Sequence, residues 1–223
     1  MPAPTPPARQ IQGVLFDLDG VLLESEPFLV RAAIAMFAEK GVQVAEADFN
    51  PYFGKGEDAL LQGVAQQHGV TMEPVAAKNR TYGIYLDMIH GVIQPLPGVH
   101  DFLRKCRQNR LRIALASSGD LIKVVGNLSE IHLSIGSFDA AVTGSDITHK
   151  KPAPDVFALA AYRLGLDPSQ CLVVEDAIAG VAAAKSAGAR CLAVTTNYSA
   201  EQLHDADWIA ADLAHAPADC LTW

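Results

Sequence analysis

The sequence predicts an α/β protein in which a parallel sheet is flanked by helices and carries a small helical insert. Short apolar segments alternate with longer helix-like segments along most of the chain, a pattern typical of strands joined by helical crossovers. The apolar segments are followed by polar or acidic residues. Residues 25–94 are the exception, because this stretch contains helix-like patterns only.

Six apolar segments have the length expected of strands. They are short and almost continuously hydrophobic, as expected when a parallel sheet is covered on both faces. The predicted strands are Ile11–Phe16, Leu111–Ala116, Ala140–Thr143, Cys171–Val174, Cys191–Thr195 and, at one edge of the sheet, Trp208–Ala210. The acidic run DLDG follows the first strand directly.

Four helices are predicted between these strands. Gly165 and Gly188 each follow one of them, and glycine commonly ends a helix because it tolerates a positive φ. The predicted helices are Val99–Asn109, Leu121–Glu130, Val156–Leu164 and Ala177–Ala187. The alternation of these helices with the strands predicts a sheet wrapped by helices.

The helical insert separates the first strand from the second, and its predicted helices are Pro27–Lys40, Glu57–His68 and Pro74–Ile89. We therefore predict a disordered tail at residues 1–10, a core domain formed by residues 11–24 and 95–223, and a cap domain formed by residues 25–94. Two crossings of the chain join cap to core, so we expect the cap to move as a body.

The composition indicates a folded cytoplasmic protein, which we expect to be a monomer or a weak homodimer. Half of the 223 residues are hydrophobic and 19% are charged. A formal net charge of −8 gives no attraction to nucleic acid or to anionic membranes, and no segment has the length of a membrane span. The four cysteines lack metal-ligand spacing and are expected to be reduced and buried.

Several polar and charged side chains follow the predicted strands. Because the carboxyl ends of parallel strands share one edge of a sheet, we expect these side chains to meet there. They are Asp17, Asp19, Ser117, Ser118, Lys151, Glu175 and Asp176. Each alone has an ordinary structural interpretation as a helix cap, a turn or a solvated loop. Together, in this order, they favour phosphoryl transfer.

The four carboxylates in this set predict a metal ion. Carboxylates that converge in a low dielectric repel one another, and a hard dication with oxygen ligands relieves the repulsion. We therefore predict Mg²⁺ beside Asp17, Asp19, Glu175 and Asp176.

The same side chains suggest catalytic roles. Asp17 would attack phosphorus as the nucleophile. Asp19, two residues further on, would protonate the leaving oxygen and later activate the water that cleaves the aspartyl-phosphate. Ser117, Ser118 and Lys151 would bind the phosphate.

Four segments carry recognisable motifs: LFDLDGVLLESEP at residues 15–27, ALASSGD at 114–120, KKPAPDVF at 150–157 and CLVVEDAIAG at 171–180. In these segments the chain resembles the haloacid dehalogenase-like superfamily, and most nearly its β-phosphoglucomutase-like branch. The resemblance covers residues 11–196 and implies a Rossmann-like core with a helical cap. It also implies that Mg²⁺ is held by the carboxylates of Asp17 and Asp176 and the main-chain carbonyl of Asp19, with Glu175 acting through water.

The resemblance implies hydrolysis of a small phosphomonoester, such as a sugar phosphate. A small cap admits only compact substrates. The loop of residues 53–58 is predicted to face the leaving group, with Lys55 as the residue that sets substrate specificity. A catalytically silent binding module with the same fold stays an alternative, which the intact set of Asp17, Asp19, Lys151 and Asp176 disfavours.

Three other activities of the superfamily fit the sequence less well. Dehalogenases lack the second aspartate of the first motif, which is Asp19 here. Phosphonatases use a cap lysine as a Schiff base, but nothing around Lys55 or Lys78 suggests a depressed pKa. Mutases carry a histidine where this chain has Phe28 and Leu29.

Mutases differ from this chain at two further positions. They carry an arginine where it has Lys55-Gly56, and a Ser-Lys-Asn run where it has Gly119-Asp120-Leu121. We expect Asp120 to repel a second phosphate. Phosphate hydrolysis is therefore predicted over mutase chemistry.

Overall fold

The computed structural model describes residues 11–52 and 56–223 of the chain. The predicted tail of residues 1–10 and the predicted specificity residue Lys55 lie outside the described residues. Within the described part, no helix is both long enough and apolar enough to span a bilayer.

The predicted α/β architecture is confirmed by a six-stranded sheet in which all neighbouring strands are parallel. The strands are β1 (Gly13–Phe16), β2 (Arg112–Ala116), β3 (Ala140–Val142), β4 (Cys171–Glu175), β5 (Arg190–Val194) and β6 (Trp208–Ala210). Every residue of β1 and β4 is buried, which explains their unbroken apolar sequences.

The order of the strands places one crevice at the centre of the sheet. The order is β3-β2-β1-β4-β5-β6, so β1 lies between β2 and β4. Phe16 at the end of β1 pairs with Leu115 of β2 and with Val174 of β4. The chain runs to opposite sides from β1, which is the arrangement that opens a ligand crevice at the carboxyl ends of the strands.

The helices agree with the predicted ones to within one residue at each end. They are α1 (Glu26–Glu39), α2 (Glu57–Gln67), α3 (Pro74–Ile89), α4 (Val99–Gln108), α5 (Leu121–Glu130), α6 (Asp155–Leu164) and α7 (Ile178–Ala187). Gly165 and Gly188 end α6 and α7 with positive φ, as predicted.

Residues 25–94 contain one element that was not predicted, a 3-10 helix at Glu46–Tyr52. Its sequence EADFNPY has a single buried side chain, Phe49, and therefore no helical periodicity to detect. Phe49 packs with Phe37 of α1 at a ring-centroid distance of 6.4 Å. α1, α2 and α3 surround this pair with an apolar cluster of their own.

Two chain crossings join the helical segment of residues 25–94 to the sheet, as predicted. They run side by side, because Leu23 forms a bridge with Pro95 and the Leu96 N–H donates to the Leu22 carbonyl at 3.0 Å. A third connection was not predicted: α3 also packs directly on α5.

The contact between α3 and α5 is close and buried. Tyr82 and Tyr85 of α3 are 1% and 0% exposed, and they belong to the same apolar cluster as Val124 of α5. Gly126 of α5 admits Leu86 of α3, whose Cδ2 would lie 2.2 Å from a Cβ at that position. The helical segment is therefore held by packing as well as by its two chain crossings.

The four cysteines, Cys106, Cys171, Cys191 and Cys220, are free and buried, as expected. At the far edge of the sheet, the Arg190 guanidinium lies 4.1 Å from the ring centroid of Trp223 and 5.7 Å from that of Trp208.

Candidate active site

The carboxyl ends of β1 and β4 and the loop after β3 bring Asp17, Lys151 and Glu175 into contact. The Lys151 Nζ donates to Asp17 Oδ1 at 2.7 Å and also to Glu175 Oε1. The same ammonium lies 4.9 Å from the ring centroid of Phe157. Burial alone would favour the neutral amine, but the two carboxylates raise the pKa of Lys151 above its ordinary value. Lys151 is therefore a buried cation whose charge favours the ionised form of Asp17.

Asp17, Glu175 and Asp176 form a compact acidic group. Each offers a carboxylate oxygen, and these oxygens all lie within 4.8 Å of one another. Burial raises the pKa of Asp17 and of Asp176, and the neighbouring carboxylates raise both further. One lysine does not compensate three buried carboxylates. A hard dication with oxygen ligands fits this donor set.

Glu175 is fixed by the backbone that follows it. Its Oε2 accepts from the N–H groups of Asp176 at 2.8 Å and Ala177 at 2.9 Å. Gly180 in the first turn of α7 provides the room, because a Cβ there would lie 1.9 Å from the Glu175 carboxyl carbon. The EDAIAG sequence thus folds back on its own glutamate.

Gly20 allows the turn after β1 to pass close to the acidic group. Its φ is +76°, and a Cβ at this position would lie 2.1 Å from Asp176 Oδ2. Asn197, which the sequence analysis did not identify, donates from Nδ2 to that Asp176 oxygen at 2.7 Å. Its only signal in the sequence is its place in the polar loop after β5.

Ser117 and Ser118 follow β2 and line the same cleft. Ser117 is 1% exposed, and its Oγ accepts from the Gly119 N–H at 3.0 Å. The Ser118 Oγ is buried and lacks a hydrogen-bond partner among the described residues. A buried hydroxyl without a partner is uncommon, and a ligand oxygen would satisfy it.

Asp19 does not belong to the acidic group of Asp17, Glu175 and Asp176. Its Oδ2 accepts from Lys123 Nζ at 2.8 Å, and its Oδ1 accepts from Asn127 Nδ2 at 3.2 Å and from Ser25 Oγ. The side chain therefore turns toward α5. The Asp19 carboxylate is thus separate from the acidic group, although the sequence analysis predicted that all four carboxylates converge.

Lys123 and Asn127 were missed by the sequence analysis. The apolar residues Val124 and Leu128 identify the buried face of α5, and Lys123 and Asn127 are each one residue before them. This spacing was the available signal, because residues four apart share a helix face. Lys123 is 5% exposed and Asn127 is fully buried.

The site lies in a cleft of about 430 Å³ between the sheet and the helical segment. The helical segment contributes apolar and acidic side chains to its lining, among them Leu29, Leu60 and Glu57. Lys150 also lines the cleft, and its Nζ would lie 2.4 Å from a Cβ at Gly56. Gly56 and Glu57 belong to the predicted specificity loop, whereas Lys55 itself is not described.

The contacts of Asp120 weaken the expectation that its charge repels a second phosphate. Asp120 Oδ2 lies 2.9 Å from Lys78 Nζ and accepts from the Tyr82 hydroxyl at 3.1 Å. Its charge is therefore paired with the helical segment, and Asp120 is not among the described residues that line the cleft. The pairing was hidden because it joins residues far apart in sequence.

Lys78 lacks the properties of a Schiff-base lysine. It also lies 2.9 Å from Asp58 Oδ2, so two carboxylates flank its ammonium. Partial burial lowers the pKa of Lys78, but hydrogen bonds to these carboxylates outweigh burial and raise it. A Schiff-base lysine needs the opposite shift.

The chain matches a protein-family model and several curated proteins. A model of the haloacid dehalogenase-like hydrolases matches residues 11–188. The chain is 31% identical over 200 residues to validoxylamine A 7'-phosphate phosphatase of Streptomyces hygroscopicus subsp. limoneus, covering 89% of this chain and 92% of that protein. It is 30% identical over 209 residues to hexitol phosphatase B of Escherichia coli K12, covering 92% and 91%.

A plant protein shows higher identity over a smaller share of its length. The chain is 44% identical over 200 residues to the protein SUPPRESSOR OF QUENCHING 1, chloroplastic, of Arabidopsis thaliana. The match covers 88% of this chain but 19% of the plant protein. The chain thus spans about a fifth of that relative.

Solved structures with the same fold include CbbY from Rhodobacter sphaeroides in complex with phosphate, with a TM-score of 0.83 and 24% identity. The match covers 92% of this chain and 96% of CbbY. A CbbY mutant in complex with xylulose 1,5-bisphosphate matches with the same TM-score. At this identity the likeness establishes the fold.

Proposed function

The chain belongs to the haloacid dehalogenase-like hydrolase family, and from this premise we propose that it is a Mg²⁺-dependent phosphatase acting through an aspartyl-phosphate on Asp17. Relatives that match it over about nine-tenths of their length are named phosphatases, and the chain is a phosphoric monoester hydrolase. The observation that carries the proposal is the contact of Lys151 with Asp17 beside Glu175 and Asp176.

The reaction begins with Asp17. Its carboxylate oxygen attacks phosphorus while the bond from phosphorus to the leaving oxygen breaks, and Asp19 gives its proton to that oxygen. Lys151 donates to Asp17, which favours the ionised nucleophile, and it would balance charge on the phosphoryl oxygens. The Ser117 and Ser118 hydroxyls donate to the same oxygens.

The second half of the reaction regenerates Asp17. Asp19, now a carboxylate, takes a proton from a water molecule that attacks phosphorus, and the bond between phosphorus and Asp17 breaks to release inorganic phosphate. Asp17, Asp176 and the Asp19 carbonyl would hold Mg²⁺, with Glu175 next to it, and the bound ion would supply positive charge to the phosphoryl group.

The substrate we propose is a small phosphorylated metabolite such as a sugar phosphate. The cleft of about 430 Å³ suits a compact molecule. Two curated relatives are named hexitol phosphatase B and fructose-1-phosphate phosphatase YqaB, which is consistent with this class. We further propose that residues 25–94 act as a cap over a core of residues 11–24 and 95–223. A cytoplasmic location stays a prediction, since one relative is named as chloroplastic.

Mutase activity is the second candidate, because the pairing of Asp120 with Lys78 weakens one argument against it. The departures at Phe28-Leu29 and Lys55-Gly56 still favour hydrolysis. Incubation with glucose 1-phosphate separates the two: a phosphatase releases inorganic phosphate, whereas a mutase forms glucose 6-phosphate without net release.

The nucleophile is tested with Asp17→Asn. We expect Mg²⁺-dependent hydrolysis of p-nitrophenyl phosphate to fall by about a thousandfold or more, because an amide does not form the acyl phosphate. Asp87→Asn is the control, because Asp87 is an exposed aspartate of α3. Turnover that does not require Mg²⁺, or that survives in Asp17→Asn, contradicts the proposal, and no turnover in the wild type favours a silent module.

A further inference from the structure

Lys123 is a buried cation that the proposed reaction does not use. It lies on α5, its side chain is 6% exposed, and it borders the cleft. A long charged side chain is rarely buried to this extent unless it is paired. Its two partners come from different parts of the fold.

The first partner is Asp19, at the end of the turn after β1. The Lys123 ammonium donates to Asp19 Oδ2 at 2.8 Å, while Asn127 and Ser25 donate to Oδ1. Both oxygens of the carboxylate are therefore engaged, which restricts its rotation. Lys123 is the only ionic partner of Asp19 among the ion pairs of the described residues.

The second partner is Glu57, the first residue of α2 in the helical segment. Glu57 is 7% exposed, and its Oε1 lies 3.8 Å from Lys123 Nζ. Lys150, from the loop after β3, lies 3.9 Å from the other oxygen of Glu57. The buried carboxylate of the helical segment thus faces two lysines of the sheet side of the cleft.

We propose that Lys123 is a positioning residue that joins Asp19 to Glu57, so that the helical segment, when it covers the cleft, fixes the carboxylate that serves as acid and base. This inference rests on the proposed phosphatase function. Without the ammonium, two carboxylates would face each other across the cleft and Asp19 would lose the partner on Oδ2. The effect on catalysis would therefore pass through Asp19.

A loss of rate that is caused by a misplaced Asp19 should depend on the basicity of the leaving group. Phenyl phosphate and p-nitrophenyl phosphate differ by one nitro group, but phenolate is the more basic leaving group and needs protonation more. The second-order constant kcat/KM reports the steps up to the departure of this group. Loss of a positioned acid must therefore harm phenyl phosphate more than p-nitrophenyl phosphate.

The test compares kcat/KM for the two esters, with Mg²⁺, in the wild type, Lys123→Met and Lys123→Arg. We expect Lys123→Met to lose about tenfold more activity on phenyl phosphate than on p-nitrophenyl phosphate. Lys123→Arg, which keeps the charge, should recover most of this selective loss. Lys185→Met is the matched control, because Lys185 forms a surface pair with Asp207 at 2.7 Å and should leave both constants unchanged.

Glu57→Gln tests the contact between Lys123 and Glu57, and it replaces Lys123→Met as the test if that variant does not fold. It should also lose activity selectively on phenyl phosphate. In a double mutant with Lys123→Met, the combined loss should be about fivefold smaller than the product of the single losses, since both changes break one link. Equal losses on the two esters, or multiplicative losses in the double mutant, overturn the proposal. Failure of this proposal is distinguishable from failure of the proposed phosphatase function, because Asp17→Asn tests that function with Lys123 intact.

Discussion

At the scale of single residues, the site depends on one position that must lack a side chain. Gly20 combines a φ of +76° with a close approach to the Asp176 carboxylate. Any other L-residue would meet both a backbone penalty and a clash with a group proposed to bind the metal. Gly41 offers a comparison, because it has a positive φ but no close neighbour.

Gly41 follows α1 with a φ of +75°, and a Cβ there would have no neighbour within 4 Å. We expect Gly41→Ala to lower the free energy of unfolding by about 1 kcal/mol and to leave activity intact. Gly20→Ala should cost more than this and should also abolish Mg²⁺-dependent turnover, because Asp176 must move. Urea unfolding and p-nitrophenyl phosphate hydrolysis measure the two effects. Equal behaviour of the two variants would contradict this account.

At the scale of secondary structure, the contact of α3 with α5 ties the helical segment to the sheet. Two helical glycines near this contact differ in the room available for a Cβ. Gly126 of α5 faces Leu86 at a distance that leaves no room for a Cβ, whereas Gly83 of α3 has its nearest neighbour, Arg80, at 3.8 Å.

The two glycines should therefore respond in opposite directions to alanine. Gly83→Ala gains helix propensity and should stabilise the protein by about 0.5–1 kcal/mol. Gly126→Ala gains the same propensity but forces Leu86 aside, and overpacking of this kind costs about 1–3 kcal/mol. Thermal unfolding measures the sign of each change in stability. Faster amide exchange in α3 of Gly126→Ala would show that the contact of α3 with α5 is weakened. Stabilisation by both changes would mean that Leu86 relocates without cost.

The helices and strands could be predicted from the sequence because each depends on a pattern within its own segment. The strands were evident because strands buried on both faces are apolar throughout, and the glycines after α6 and α7 marked the helix ends. Asp17, Lys151 and Asp176 could be identified because they follow strands. The spacing of Lys123 on α5 marks it as buried but does not disclose its contacts with Asp19 and Glu57, which are 104 and 66 residues away in sequence. The pairing of Asp120 with Lys78 was hidden for the same reason.

At the scale of the whole molecule, the acidic group links stability to pH and to metal. Burial and mutual repulsion raise the pKa of Asp17 and Asp176 from the ordinary value of 3.8. The folded state then binds protons that the unfolded state has already released. Stability contributed by these groups therefore falls as pH rises above 3.8 and through the raised pKa values.

A dication at this group should remove that penalty. In EDTA, we expect the melting temperature to fall as pH rises from 5 to 8, and we expect Mg²⁺ to raise it by several degrees at pH 8 but by little at pH 5. The increment should shrink in Asp176→Asn, which lacks one carboxylate. Thermal unfolding with matched ionic strength measures it. An increment that is the same at both pH values would argue against a metal site at these residues.

The two attachments of the helical segment differ in their chemistry. α3 meets α5 through buried tyrosines, whereas α2 faces Lys123 and Lys150 through a carboxylate at 3.8 and 3.9 Å. Such longer ionic contacts separate at less cost than packed aromatic rings. The cleft should therefore open beside α2 while α3 stays packed on α5. Substrate and product would then pass between α2 and the sheet side of the cleft, beside the charged side chains of Glu57, Lys123 and Lys150.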